Sequence, residues 1–279
     1  MKEFELAGVS RTALLMLKAR ADEHQKRERR FADPWAVEWL RVLGWPRDLR
    51  RVYSRWVQGR IAIRAAQIDD VVRRCVARFE IDTIVELGCG LSSRRQRLAL
   101  GEGVSWIDLD LPPVIEVRES LGIRGKGHRH LARSVLDLVW MDDVMVSTRE
   151  GASRTLFVAE GLVYYLARED ASRLLMELRR RFFGAISVFD VIGMLDLGVT
   201  AGFYRRLDVP VHWAIRPTFE TALAGFGLSM IEGFEPDVML EDAIGRAGAW
   251  ARPLLTAMAS IDALRARRSG TLVGRLKPL

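Results

Sequence analysis

The sequence predicts an α/β protein in which helices cover both faces of a largely parallel sheet. From about residue 82 onward, short apolar runs alternate with helical patterns, which is the order expected of parallel strands joined by helical crossovers. The run 83–87 leads directly into a glycine turn at 88–90, and the next apolar run, 104–109, carries carboxylates near its end. The first quarter of the chain contains helical patterns only.

Residues 1–80 are therefore predicted to form an N-terminal helical cap. Thr12–Ala21 is an apolar helical stretch, and Phe31–Trp35 opens a second helix, because proline is tolerated in a first helical turn. The pattern is helical again from Asp48 to Phe79, with a bend or interruption expected near Gly59.

Residues 81–279 are predicted to form the core, with a lid insertion near 190–217. Helices are expected at Arg168–Arg181, where acidic residues begin and basic residues end the segment, and at Thr218–Phe226. The last strand should pair antiparallel with the strand near 230. The seven predicted strands are 83–87, 104–109, 130–135, 155–159, 185–189, 228–234 and 271–277.

Length and composition fit one structural domain, since 279 residues with 49% hydrophobic content can bury a large core. No apolar run approaches the roughly 18 residues that a membrane helix needs, and the N-terminus lacks a signal-peptide pattern, so we expect a cytoplasmic protein. Cys75 and Cys89 are too few for a disulfide framework, and the four histidines show no metal-ligand spacing. No metal is expected.

The net charge of +7 is concentrated at the N-terminus, where residues 1–80 hold 18 Lys/Arg against 11 Asp/Glu, while the remainder is balanced at 25 and 25. The arginines between 47 and 64 alternate with apolar residues on a helical period, which favours a solvated helix face over a nucleic-acid surface. An RNA-binding protein or RNA methyltransferase remains the alternative, and would show steeply salt-dependent RNA affinity. A basic cap could also attract an anionic substrate.

The glycine turn predicts a nucleoside site. Gly88 and Gly90 have no Cβ, so a ligand could lie close to the main chain. A dinucleotide fingerprint would need a third small position where Ser93 stands, which argues against NAD or FAD. Asp108 and Asp110 follow at the distance typical of carboxylates that bind ribose hydroxyls. The alternative is an ordinary turn between a strand and a helix.

An ordered set of motifs spans most of the chain. The motifs are Val9–Ala13, Phe31–Ala36, Arg64 with Ile68–Asp69, Val85–Leu91 followed by Arg94–Leu98, Trp106–Pro112 and Ala159–Leu166. This set resembles the leucine carboxyl methyltransferase superfamily, specifically its bacterial branch of polyketide O-methyltransferases. The resemblance implies a class I S-adenosylmethionine-dependent methyltransferase fold, a Rossmann-like seven-stranded sheet with an N-terminal helical cap.

The resemblance further implies S-adenosyl-L-methionine as cofactor and S-adenosyl-L-homocysteine as product. Arg11 and Arg64 would hold the methionine carboxylate, because two oxygens that leave water need a cation. Arg64 could instead be a solvated arginine, and Glu160 an acid at a helix start. The other implied cofactor positions are Glu86, Gly88, Gly90, Asp108, Asp110, Ser134, Val135 and Glu160.

The third strand departs from the family pattern, which often has Asp where this chain has Ser134. Either Ser134 and the backbone near Val135 accept the hydrogen bond of the adenine amino group, or Asp137 does so after a local shift. Adenine recognition therefore stays open between these two arrangements.

The implied reaction is attack of an acceptor oxygen on a sulfonium methyl group. A carboxylate acceptor needs no base, whereas a phenol or alcohol gains from one, and His212 is a candidate base with an exposed or structural histidine as the alternative. Candidate residues for an aromatic acceptor pocket are Tyr164, Tyr165, Phe203, Tyr204 and Trp213.

The sequence thus predicts an O-methyltransferase for a small-molecule acceptor, such as an aromatic polyketide or another secondary metabolite. A carboxyl methyltransferase that forms a methyl ester on a metabolite or a protein C-terminus is an alternative. A protein that binds the cofactor without turnover is another.

Overall fold

A mostly parallel sheet forms the centre of the computed structural model, which describes residues 6, 8–123, 125–146, 148, 152–214, 219–234, 237–238, 253 and 269–278. Its strands are β1 Thr83–Leu87, β2 Ser105–Asp110, β3 His128–Ala132, β4 Thr155–Ala159, β5 Ile186–Val191, β6 Leu228–Met230, β7 Asp237–Val238 and β8 Gly270–Leu276. The main order is β3-β2-β1-β4-β5-β8-β6, with β7 also pairing with β8. The first five strands are parallel and β8 runs antiparallel to its neighbours. The predicted fold class is confirmed.

Helices precede the sheet and then alternate with its strands. No helix in the described part of the chain has both the length and the apolar character that a bilayer crossing requires. The helices are α1 Thr12–Gln25, α2 Pro34–Leu43, α3 Arg55–Phe79, α4 Arg94–Leu98, α5 Pro112–Ser120, α6 Trp140–Met145, α7 Arg168–Arg181, α8 Met194–Arg206 and α9 Phe219–Gly225.

The central strands are buried along their whole length, as expected of parallel strands with helices on both faces. Alternate residues of β1 enter different cores. Val85 packs with Phe157 and Phe189 on one face, whereas Ile84 packs with Ile68 of α3 on the other. The long helix α3 is thereby held against the sheet, and it carries Arg64 toward the ends of the strands.

Several local predictions agree with the structure. The second helix begins at Pro34, and the Asp33 side chain accepts the N–H of Ala36 at 2.9 Å. Arg168–Arg181 is helical over the predicted range. The helix predicted at Thr218–Phe226 is seen as Phe219–Gly225, while Thr218 lies outside the described residues.

The interruption expected near Gly59 is wrong, because α3 is continuous from Arg55 to Phe79, and the break in the helical pattern lies earlier, at residues 52–54. The helix begins after Ser54, whose hydroxyl accepts the N–H of Val57 at 3.2 Å. Burial of the apolar face of α3 offsets the roughly 0.5–1 kcal/mol that one internal glycine costs.

Two strands differ from their predicted extent by more than two residues at one end, and three others differ by one or two residues. The third is His128–Ala132 rather than 130–135, because the chain turns at Ser134, whose carbonyl accepts the N–H of Asp137 at 3.0 Å. The sixth ends at Met230 rather than 234, since a turn follows in which Gly233 adopts φ +78°.

The continuity of α3 yields a stability prediction. A Cβ at Gly59 would meet no atom within 4 Å, so Gly59→Ala should raise the free energy of unfolding by roughly 0.5–1 kcal/mol in urea denaturation. Gly122 is the matched control, because it has equal space but a φ of +71°, and Gly122→Ala should destabilise by about 1 kcal/mol. A loss of stability in Gly59→Ala would contradict the continuous helix.

Candidate active site

A cavity of about 270 Å³ opens at the carboxyl ends of β1, β2 and β4. We call it the glycine-turn cavity. Parallel strands direct their ends to one edge of a sheet, which is where α/β proteins usually bind ligands. Its lining includes most of the predicted cofactor residues: Arg64, Glu86, Gly88, Gly90, Asp110, Ser134, Val135 and Glu160.

The turn itself depends on its glycines. Gly88 and Gly90 have φ of +61° and +52°, a region that side chains rarely adopt. A Cβ on Gly88 would come within 3.0 Å of Leu162, and one on Gly90 within 3.3 Å of Ala13. The backbone can therefore form the cavity floor only with glycine at both positions.

Asp110 lies across this turn. One carboxylate oxygen accepts the N–H of Gly90 at 2.6 Å, and the other accepts the N–H of Leu111 at 2.7 Å. Burial raises the pKa of Asp110, although these two N–H groups oppose the shift. Each oxygen can accept a second hydrogen bond, so the group remains able to bind hydroxyls.

Asp108 is not among the residues that line the cavity, in contrast to its expected place beside the ribose. It is fully buried and binds Arg118, whose guanidinium also donates to the carbonyls of Gly90 and Ser92 at 2.9 Å. Burial opposes its ionisation, but Arg118 and His128 lower the pKa of Asp108 to about 2. Asp108 thus supports the glycine turn from beneath.

Asp108 also brings two histidines together. Nitrogens of His128 and His130 lie 2.6 and 3.6 Å from the same Asp108 oxygen, so potential metal ligands from three residues meet here. Arg118 donates to that oxygen as well, and its positive charge opposes a cation at this place. The arrangement fits a charge-neutralised support better than a metal centre.

Arg94 connects the cavity wall to the helical region. Its side chain is fully buried, with Nε donating to Asp69 at 2.8 Å and the two terminal nitrogens donating to Glu86 and Glu160. Burial raises the pKa of Glu86, opposed by Arg94. For Glu160, burial is outweighed by Arg64 and Arg94, which lower its pKa to about 2.

Arg64 is the charged residue nearest the centre of the site. Its Nε donates to Glu160 at 3.0 Å, and Nη1 donates to both Asp190 and the Tyr164 hydroxyl at 3.0 Å. The side chain is 11% exposed, which excludes a solvated arginine on the helix surface. Burial opposes the charge of Arg64, but these neighbours keep its pKa raised well above the usual value.

Arg11 lies away from the glycine-turn cavity. Its guanidinium pairs with Asp48 at 2.6 Å and is 42% exposed, in a separate recess. Arg20 lines the cavity instead, held by Asp33 at 3.1 Å and by the carbonyl of Leu91. In the sequence, Arg20 could have been recognised as a cavity residue because it lies within the apolar stretch of α1, on the same helical face as Ala13 and Met16.

At the end of β3, Ser134 and Val135 line the cavity and Asp137 does not. Asp137 interacts with Arg133 at 3.3 Å, and the Ser134 hydroxyl accepts the N–H of Leu136 at 3.2 Å. Of the two arrangements left open for adenine, the one with Ser134 and Val135 agrees with this geometry.

A second cavity, which we call the aromatic cavity, lies beside the first. Four predicted acceptor residues line it: Tyr164, Tyr165, Phe203 and Tyr204. Trp213 packs on Phe226 instead, and its ring nitrogen donates to the Leu166 carbonyl at 3.2 Å. Among the described residues, four line both cavities: Thr12, Met16, Arg64 and Tyr165.

His212 lines neither cavity. Its side chain is exposed, and its backbone N–H donates to the Tyr164 carbonyl at 3.0 Å. Asp190 lines the aromatic cavity and was missed, because a single aspartate at the end of an apolar strand gives no sequence signal of its own.

The chain is similar in sequence to proteins of one methyltransferase family. The family model of leucine carboxyl methyltransferases matches residues 13–179. The tetracenomycin polyketide synthesis O-methyltransferase TcmP of Streptomyces glaucescens is 32% identical over 188 residues, 67% of each chain. An S-adenosyl-L-methionine-dependent methyltransferase of Gibberella zeae, dpfgK, is 30% identical over 193 residues, 63% of this chain and 62% of its own. The matches thus span about two thirds of these relatives.

Solved structures share the fold. A DUF574 family protein from Streptomyces avermitilis aligns with a TM-score of 0.60 and 14% identity, covering 94% of this chain and 97% of its own. A candidate methyltransferase from Thermobifida fusca gives a TM-score of 0.59 and 14% identity, covering 97% and 95%.

The Arg94 cluster generates a testable prediction. Arg94→Met would leave Asp69, Glu86 and Glu160 without a shared cation, so we expect a loss of about 3–5 kcal/mol in the free energy of unfolding, measured in urea. Arg41 is the control, because its side chain and that of its partner Glu38 are 72% and 57% exposed, and Arg41→Met should change stability little. Equal stability of Arg94→Met and the wild type would show that the cluster is not needed for folding.

Proposed function

The chain belongs to the leucine carboxyl methyltransferase family, and from this we propose that it is an S-adenosylmethionine-dependent O-methyltransferase for a small molecule, such as an aromatic polyketide. The similarity to TcmP supports the polyketide class of acceptor. One observation carries the proposal. The glycine-turn cavity contains Asp110, a carboxylate at a strand end that can bind hydroxyls. The same cavity contains the ion pair of Arg64 and Glu160, whose opposite charges suit a zwitterion.

The residues of the glycine-turn cavity fit the cofactor. Asp110 would accept the ribose hydroxyls, and Ser134 with the backbone of Val135 would meet the adenine. Glu160 would bind the methionine ammonium and Arg64 its carboxylate. Arg64 Nη2 lies 3.0 Å from the Met16 sulfur, a weak acceptor that a carboxylate could replace.

The acceptor would enter the aromatic cavity, under the predicted cap of residues 1–80 and the predicted lid of residues 190–217. Of these segments the structure describes residues 6, 8–80 and 190–214. Bound S-adenosylmethionine supplies a sulfonium methyl group, whose carbon–sulfur electron pair returns to sulfur on transfer. Met16, Arg64 and Tyr165 line both cavities and would align the acceptor oxygen with that group. Close packing around this wall would exclude water from the reacting atoms.

A carboxyl methyltransferase is the second candidate function. Arg60 and Arg64 both line the aromatic cavity, and a guanidinium can bind a carboxylate acceptor through two hydrogen bonds. Treating the methylated product with mild alkali distinguishes the two functions, because a methyl ester is hydrolysed and a methyl ether is stable.

The cofactor assignment predicts binding of S-adenosylhomocysteine in calorimetric titration, at about one per chain and micromolar Kd, or about 8 kcal/mol. NAD, which needs a pyrophosphate site, should not bind. Asp110→Asn and Arg64→Gln should each weaken binding tenfold or more, since each removes a charged hydrogen bond worth about 1.5–3 kcal/mol.

Asp208→Asn is the control for these titrations, because Asp208 is exposed in the recess that also contains Arg11. Circular dichroism and urea denaturation would establish that the variants remain folded. Unchanged affinity in both Asp110→Asn and Arg64→Gln would refute the residue assignment, and no binding by the wild type would refute the proposed cofactor.

A further inference from the structure

Among the described residues that line the aromatic cavity, Asp190 is the one carboxylate, and no histidine or cysteine accompanies it. The other ionisable residues there are Arg60, Arg64 and three tyrosines. Burial raises the pKa of each tyrosine, Tyr164, Tyr165 and Tyr204, so all three stay protonated near neutral pH. Among the described lining residues, Asp190 is therefore the one suitable acceptor for a proton released in this cavity.

The position of Asp190 is fixed by its strand and by two hydrogen bonds. It stands near the carboxyl end of β5 with 2% of its surface exposed. Oδ1 accepts the N–H of Gly161 at 2.6 Å, and Oδ2 accepts from Arg64 Nη1 at 3.0 Å. These contacts hold the carboxylate in one orientation, toward the wall that separates the two cavities, so it need not rearrange.

Oδ2 also has room for a new donor. Its contact with the Tyr164 hydroxyl is 3.4 Å, well beyond the 2.7–2.8 Å typical of such bonds, and therefore weak. Each carboxylate oxygen can accept two hydrogen bonds. An acceptor hydroxyl could replace the long Tyr164 contact, while Tyr164 retains its 3.0 Å contact with Arg64.

The charges around Asp190 favour transient protonation of its carboxylate. Burial raises its pKa, opposed by Arg64 and by the Gly161 N–H, while the nearby charge of Glu160 raises it further. A more basic carboxylate is a better partner for a weakly acidic hydroxyl. Arg64 would at the same time stabilise negative charge that develops on the acceptor oxygen.

We propose that Asp190 is the general base of this site and that the acceptor group is a phenolic or enolic hydroxyl. The inference rests on the proposed O-methyltransferase function and specifies its acceptor. The proton moves from the acceptor oxygen to Asp190 Oδ2. The electron pair that held it stays on the oxygen and forms the new bond to the methyl carbon. A carboxylate acceptor would need no such base and would meet the like charge of Asp190.

The first test uses 4-nitrophenol as a probe, because its neutral and ionised forms have different absorption spectra. It would be titrated from acid to alkaline pH in the presence of saturating S-adenosylhomocysteine. With Asp190 the bound probe should remain neutral to higher pH than in Asp190→Asn, where Arg64 loses one of its two counter-charges and favours the phenolate. An identical ionisation profile in both proteins would overturn the proposal, as would the absence of saturable binding to the wild type.

The second test measures methyl transfer to a series of substituted phenols. Asp190→Asn should slow turnover roughly 100-fold or more for phenols that are neutral at the assay pH, and little for those already ionised. A loss that is equal across the series would indicate a structural role and overturn the assignment. Wild-type enzyme that binds S-adenosylhomocysteine but methylates no phenol would also overturn it.

Two controls separate this proposal from the proposed function. Asp142→Asn removes a carboxylate of α6 that is 64% exposed and lines neither cavity, and this variant should retain the wild-type probe spectrum and turnover. The affinity of Asp190→Asn for S-adenosylhomocysteine reports whether the cofactor cavity survives the substitution. Failure of the wild type to bind S-adenosylhomocysteine would refute the proposed function itself, whereas normal binding with an unaltered probe profile refutes only the role of Asp190.

Discussion

The buried guanidinium of Arg94 is the interaction on which the rest of the site depends. Its three nitrogens reach carboxylates from three separate parts of the chain, Asp69 in α3, Glu86 in β1 and Glu160 after β4. Removing these charges from water is costly, and the cost is offset only when every partner is present with good geometry. The cluster can therefore form only when α3 is seated against the sheet, which also sets the position of Arg64.

Asp33 extends the network of buried charges to the first two helices. This side chain is fully buried, caps α2, and accepts hydrogen bonds from Arg20, Ser93 and Arg97. Because Arg97 also pairs with Asp69, a continuous set of charges joins α1 and α2 to the residues that follow the glycine turn. The helical region is thus coupled electrostatically to the cavity edge, as well as packed against it.

The sequence was informative wherever function coincides with local structure. Gly88, Gly90 and Asp110 were predictable because a turn and a strand end restrict which residues can stand there. Arg11 was expected at the cofactor, but Arg20 and not Arg11 lines the glycine-turn cavity, since the choice depends on how α1 rotates against α2 and the turn. Asp190 depends on the pairing of β5 with both β4 and β8, and on the approach of Arg64 from a helix 126 residues earlier in the chain. Such contacts are set by tertiary packing, which hydrophobic periodicity does not encode.

Arg64 lies between the two cavities and presents its positive charge to both. Glu160 holds its Nε from the side of the glycine-turn cavity, and Asp190 holds Nη1 from the aromatic cavity. The guanidinium is planar and rigid, so fixing two of its nitrogens fixes the direction of the third. A donor array that is oriented before any ligand arrives loses little entropy and needs no reorganisation when charge develops beside it. Glu160 and Asp190 together thus keep Arg64 available to both cavities. With only one of these carboxylates present, the guanidinium would be free to turn away from its present orientation.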